Sequence, residues 1–167
     1  DFAEAEKVDQ QYLPAWTSAN FHFRQKNIAR FWSAAARAAA MAYDDPSPLI
    51  DLADRVEPDP LAALSRLRAT APMDLAYLDF LIGKRRWDHA QNVAEKILAR
   101  TGDQNSARLQ GLADRLIGAG RGDAALSLCR RIKNCPMPDP PARDILVNGA
   151  FRTEPRGHGF DWRILAP

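Results

Sequence analysis

Residues 15–46, AWTSANFHFRQKNIARFWSAAARAAAMAYDDP, decide the fold class. Trp16, Ala19, Asn20 and Phe23 recur at helical spacing and share one face. Lys26 and Asn27 interrupt that pattern and mark a turn. A second helix then carries Trp32, Ala36 and Ala39 inward, with Phe31 and Ala35 alongside. Rings alternating with alanines let two helices approach closely, because a bulky ring needs a small residue opposite it. Asp44, Asp45 and Pro46 end the second helix, since proline lacks a backbone donor and restricts the residue before it. Phe21 and His22 cannot both point inward together with Ala19 and Phe23, so this helix is expected to expose an aromatic ring.

The same punctuation recurs on both sides. Residues 1–9 read as the end of an earlier helix with Phe2, Ala5 and Val8 along one side. Residues 47–71 form a shorter hairpin: Ser47 caps, Pro48 opens, and Leu49, Leu52, Ala53 and Val56 face inward. After the turn EPDP, Asp59 caps, Pro60 opens, and Leu61, Leu64 and Leu67 face inward. A regular hairpin over 73–101 is capped by Asp74 and carries Leu78, Leu81, Trp87, Ala90, Ala94 and Ile97, with Gly102 at a left-handed end. A further hairpin over 105–134 places Leu109, Leu112, Ala113, Leu116, Ala125, Cys129 and Ile132 inward, with glycines around its turn. The expected class is all-α: stacked antiparallel helical hairpins forming an α-solenoid, with a short irregular or β-type C-terminal tail.

Trp16, Ala19, Asn20, Phe23, Trp32, Ala36, Ala39 and Pro46 resemble the pattern of a tetratricopeptide repeat of bacterial type. The separations of Phe2 from Ala36 and of Ala5 from Ala39 equal that family's period of about 34 residues. Asn20 stands where the family favours glycine and Trp32 where it favours alanine, which implies a wider splay in this hairpin. The resemblance covers residues 1–134. It implies a superhelical stack whose first helices line a concave, partner-binding face.

Residues 135–143, CPMPDPPAR, hold four prolines in nine positions and predict a stiff linker. Beyond them, 145–147 and 161–165 have β-type composition, and Asn148-Gly149 is a turn dipeptide. The segment from Asn148 to Phe151 resembles the opening of bacterial carbohydrate-binding β-sandwich modules. The Gly159-Phe160-Asp161-Trp162 segment resembles a tail found after tetratricopeptide units in large bacterial proteins. The expected organisation is a helical repeat domain over 1–134, the linker over 135–143, and the start of a second, β-type module over 144–167. The absence of an initial methionine and the helical register at Asp1 suggest a piece of a longer protein.

Length and composition permit this. A chain of 167 residues, 46% hydrophobic and 26% charged, can bury a core unaided. Its net charge of +2 is too small to argue for nucleic acid, and acidic residues at 44, 45, 57 and 59 balance the basic runs. No apolar run reaches the length of a membrane span. Location stays open between cytoplasm and cell envelope. Cys129 and Cys135 lie six apart, without a metal-ligand or CxxC pattern, and read as two independent thiols with Cys129 buried.

His22, His89 and His158 are scattered, and no P-loop, GxSxG, HExxH or GxGxxG sequence is present. The expectation is a non-enzymatic scaffold without metal or cofactor, binding a protein or peptide through its helical groove. Asn20 and Arg24 are the candidate groove residues, and Lys84, Arg85 and Arg86 a candidate basic edge. Arg130, Arg131 and Lys133 read as a helix C-terminus, where cations complement the dipole. His158, Asp161 and Trp162 form a candidate ligand loop. The rival expectation is a spacer in a cell-envelope, polysaccharide-associated protein, with a glycan bound by a C-terminal module lying mostly beyond Pro167.

Overall fold

The computed structural model describes residues 12–41, 45–137 and 152–162. Among these residues all regular structure is helical. The α-helices are α1 Tyr12–Arg24, α2 Ile28–Met41, α3 Ser47–Val56, α4 Pro60–Arg66, α5 Ala71–Gly83, α6 Trp87–Thr101, α7 Ser106–Gly118 and α8 Gly122–Cys129. One 3-10 turn, Gly102–Asn105, separates α6 from α7. The expectations for 1–9 and 145–147 lie outside the described residues. Of the β-type stretch expected over 161–165, Asp161 and Trp162 lie in a loop, and 163–165 lie outside the described residues.

Three hairpins share one measure. In α1/α2, α5/α6 and α7/α8 the first helix has 13 residues. The second begins 16 residues after the first (28 − 12, 87 − 71, 122 − 106). Each turn between them is built the same way. Two backbone bonds close it: Asn27 N–H to His22 O with Lys26 N–H to Phe23 O, Arg86 to Leu81 with Arg85 to Ile82, and Arg121 to Leu116 with Gly120 to Ile117. This is the Schellman arrangement, which satisfies the last carbonyls of the helix and needs one left-handed residue. That residue is Lys26 (φ 56°), Arg85 (φ 56°) or Gly120 (φ 73°), and Arg68 (φ 50°) does the same after α4. A side chain in this conformation costs about 1 kcal/mol or more. A cation there regains part of that from the negative end of the helix.

The chain forms two compact units, Asp1–Val93 and Ala94–Pro167. In the first, α1 packs on α2, and α3 touches α1, α2, α4 and α5. Ala15, Ser18 and Ala19 are buried from α1, against Phe31, Trp32, Ala34, Ala35, Ala38 and Ala39 from α2. Of the residues expected inward on α2, Phe31, Trp32, Ala35 and Ala39 are buried and Ala36 is only half-buried, while Ala34 and Ala38 are buried as well. Phe31 is fully buried, 4.9 Å edge-on from Trp32 and 6.0 Å from Phe23. A large side chain buried this completely contributes about 2–3 kcal/mol. Phe21 is exposed, as expected of one aromatic in this helix.

Helix starts follow from capping. Asn27 Oδ1 accepts from Arg30 N–H at 3.2 Å and starts α2. Asp59 Oδ1 accepts from Leu61 N–H at 3.1 Å, and Pro60 opens α4 as its sequence predicts. Two caps differ from expectation. Ser47 is already helical, and the Asp45 carboxylate accepts from its N–H at 2.9 Å. Bonds from the Ser47 side chain and backbone hold the Asp45 carboxyl below the usual range. Asp74 lies inside the first turn of α5, fully buried, because Pro72 lets the helix begin at Ala71. Leu61 is exposed, and Ala63 is buried with Leu64 and Leu67 instead.

In the second unit Leu109, Leu112, Ala113, Leu116, Ala125, Cys129 and Ile132 are all buried, at the positions their spacing predicts. The two cysteines correct the sequence reading. Cys129 and Cys135 form a disulfide, because the chain turns back through Asn134 (φ 60°) and brings their Cα atoms to 5.2 Å. Closing so short a loop removes unfolded-state entropy worth on the order of 2 kcal/mol. The start of the expected linker is thus tied to the end of α8.

Candidate functional site

The basic run at the α5/α6 turn divides into three roles. Arg86 is structural. Its Nη1 donates to Asp54 Oδ1 on α3 and its Nη2 to the Pro58 carbonyl at 2.7 Å. Tyr77, fully buried on α5, donates its hydroxyl to the same Asp54 oxygen at 3.2 Å. Lys84 lies 3.8 Å from Asp51, which also pairs with Arg55 at 2.6 Å, and 5.4 Å over the Phe80 ring. Arg85 occupies the left-handed position and is exposed. Acidic side chains of α3 therefore face much of the cationic edge, and Arg85 is the member turned to solvent.

Burial, followed by the negative charge of Asp54, pushes the Tyr77 hydroxyl well above the ordinary tyrosine range. The folded state thus holds this proton more tightly than the unfolded chain. Its contribution is fully present below the unfolded value of about 10 and is lost as pH rises toward the folded value, at up to about 1.4 kcal/mol per pH unit. Tyr77→Phe should flatten the fall in urea midpoint between about pH 9.5 and 11, while lowering stability near neutrality by about 1 kcal/mol through the lost hydrogen bond. An unchanged alkaline slope in the variant would remove Tyr77 as its source.

Asn20 and Arg24 lie four residues apart on α1, the first half-buried and the second exposed. Phe21 is exposed beside them and stacks edge-on against His22 at 5.3 Å. These residues belong to a different element from the basic turn.

His158, Asp161 and Trp162 do occupy one loop. Both carboxylate oxygens of Asp161 are engaged by backbone: Oδ2 accepts from Arg156 N–H at 2.9 Å and Oδ1 from Trp162 N–H at 2.8 Å. Gly159 N–H donates to Asp114 on α7 at 2.7 Å, and Phe160 N–H to the Pro136 carbonyl at 3.1 Å. Asp161 thus organises the loop, and the loop docks beside the disulfide. His158 Nδ1 is buried without a hydrogen-bond partner.

One concave feature escaped the sequence reading. Trp32, Ser33, Ala36, Arg37 and Ala40 of α2 and Arg66 and Arg68 from the end of α4 line a groove of about 470 Å³. Its α2 wall has a local signal, since Ser33, Ala36, Arg37 and Ala40 are one helical stripe. The two other arginines come from a separate element, and no spacing links them to α2. Among the described residues no group of three or more His, Cys, Asp or Glu could hold a metal ion. No described helix is long and apolar enough to cross a membrane. No protein-family model matches the chain, and neither the curated proteins nor the solved structures contain a match to it.

Proposed function

We propose that the chain is a non-enzymatic scaffold for protein–protein interaction, an α-solenoid of tetratricopeptide type that holds a partner against its helical surface. What carries this reading is the common measure of three hairpins: a 13-residue first helix, a Schellman turn, and a second helix 16 residues on. Helix starts at Tyr12, Ser47, Ala71 and Ser106 are 35, 24 and 35 residues apart (47 − 12, 71 − 47, 106 − 71), two of them near the family's period of about 34. Repeated hairpins of this kind present extended surfaces rather than a single catalytic cleft. The outer part of α1, with exposed Phe21 and Arg24 and half-buried Asn20, is the partner-binding surface of this reading, and Arg85 is an edge contact.

The test is retention of partners by the full chain and by an Asn20→Ala/Arg24→Ala variant of equal helicity. Proteins retained by the wild type should bind the variant at least about tenfold more weakly, the loss expected of a central contact. An identical set retained equally by both forms would overturn the α1 surface. Arg86 is kept out of this test because its substitution would report on folding.

A further inference from the structure

The 152–162 loop and the Cys129–Cys135 disulfide hold each other in place. After α8, Ile132 is buried and the Lys133 carbonyl accepts from Gln110 Nε2 on α7 at 3.2 Å. The chain is therefore anchored as far as residue 133 without the disulfide. Cys135 and Pro136 follow, both buried, and the disulfide ties them back to α8. The loop rests on these two residues. Phe160 N–H donates to the Pro136 carbonyl at 3.1 Å. A Cβ on Gly159 would sit 2.9 Å from Pro136 Cδ and 3.4 Å from Cys135 Sγ, so the Gly159 backbone covers that sulfur. The loop's other anchor is Asp114 on α7, which accepts from Gly159 N–H at 2.7 Å. Within the loop, Asp161 accepts from Arg156 N–H and Trp162 N–H, bonds that do not depend on the seat. The docked state carries one cost: His158 Nδ1 is buried without a hydrogen-bond partner.

Two arrangements that support each other are coupled, and the coupling is reciprocal. Opening the disulfide frees Cys135 and Pro136 from α8 and so loosens the loop's seat. Lifting the loop, in turn, uncovers Cys135 Sγ. We infer that the two form a redox-operated strap: the loop stays on the second unit while the disulfide is intact, and a dithiol reductant releases it. One thiolate of the dithiol attacks Cys135 Sγ, the sulfur of the less enclosed residue, 8% exposed against 0% for Cys129. The S–S bond breaks, and Cys129 leaves as a thiolate that takes up a proton. The second thiol of the reductant loses its proton and displaces Cys135, which is protonated in turn. Two electrons and two protons thus pass to the protein, and the reductant ends as a disulfide. Release frees the Asp114 carboxylate on α7 from its bond to the loop. The strap goes beyond the scaffold reading and does not depend on it.

Hydrogen exchange of the full chain, with and without dithiothreitol, tests this, with thiol alkylation and mass spectrometry to score the disulfide. In the reduced protein the Gly159 and Phe160 amides should exchange at least about tenfold faster, while Leu112 and Ala113 on α7 keep their protection. A Cys129→Ser/Cys135→Ser variant should show the same fast exchange with or without the reductant. Gly159→Val and Asp114→Ala each weaken docking without touching the cysteines. Both should be reduced faster than the wild type, the first by at least about tenfold. The inference is overturned if dithiothreitol leaves the disulfide of the folded protein intact, or if exchange at 159 and 160 is unchanged after reduction. It is equally overturned if Leu112 and Ala113 lose protection together with the loop, which would make the disulfide a staple of the whole unit. Reduction of either loop-weakening variant no faster than the wild type would also overturn it. The reductant arm uses the wild-type chain, so its result does not depend on whether the variants fold.

Discussion

Replacing Arg86 by alanine should destabilise the first unit by about 2–3 kcal/mol, measured by urea denaturation near neutral pH. The side chain satisfies the Asp54 carboxylate and the Pro58 carbonyl together, and Asp54 also accepts from buried Tyr77. Removing it leaves a carboxylate whose side chain is only 19% exposed without its cation. Breaking one side of a buried pair typically costs 3–5 kcal/mol, and the 26% exposure of Arg86 itself argues for the lower end or below. Arg86→Lys should lie between, since an ammonium cannot span both acceptors as the planar fork does. A change under about 0.5 kcal/mol in the alanine variant would mean that the pair behaves as a surface ion pair. A double variant with Asp54→Asn should recover part of the loss, because the stranded charge is then gone.

Gly159→Val should release the 152–162 loop from the second unit. Gly159 has φ +61°, and a Cβ there would sit 2.9 Å from Pro136 Cδ, 3.0 Å from the Pro136 carbonyl oxygen and 3.4 Å from Cys135 Sγ. The disulfide ties Cys135 to α8, so these atoms cannot easily give way. Moving the loop aside would forfeit the Gly159–Asp114 and Phe160–Pro136 bonds. Amide exchange at residues 159 and 160 should accelerate by at least about tenfold, while the helices keep their protection. Gly157→Val is the control: it shares a positive φ of 72° but meets nothing within 4 Å. Equal effects from both variants would assign the loss to backbone conformation rather than to the close approach.

Legibility in the sequence followed the range of the interaction. Leu109, Leu112, Ala113 and Leu116 are a clean helical stripe, and all four are buried. Asp59 with Pro60 fixes a helix start within three residues, and the structure has it there. Helix α2 was harder: with alanine at 34–36 and 38–40, small apolar residues surround the axis, and their pattern barely distinguishes one face from the next. Of the five residues expected inward, Phe31, Trp32, Ala35 and Ala39 are buried, but Ala36 lines the groove rather than the core, and Ala34 and Ala38 are buried in addition. Asp54, Tyr77 and Arg86 meet across 32 residues of sequence, and no local spacing signals such a meeting. The cysteine pair failed similarly. A separation of six says nothing about distance until the turn at Asn134 is known.

The short hairpin shows where this chain can change length. Helices α3 and α4 have 10 and 7 residues, against 13 and 14 in α1 and α2. The differences of three and seven residues are near one and two whole turns, so the two ends of each helix are rotated by only about 60° and 20° relative to the longer pair. Near-integral deletions of this kind keep the entry and exit of a hairpin pointing almost as before. At the far end of the chain α8 stops after eight residues, and there the covalent tie from Cys129 to Cys135 returns the backbone where a longer helix would have carried it onward. Length therefore varies most in the second helices, of 14, 7, 15 and 8 residues, while three of the four first helices keep 13 residues and a Schellman turn, and α3 gives up about one turn.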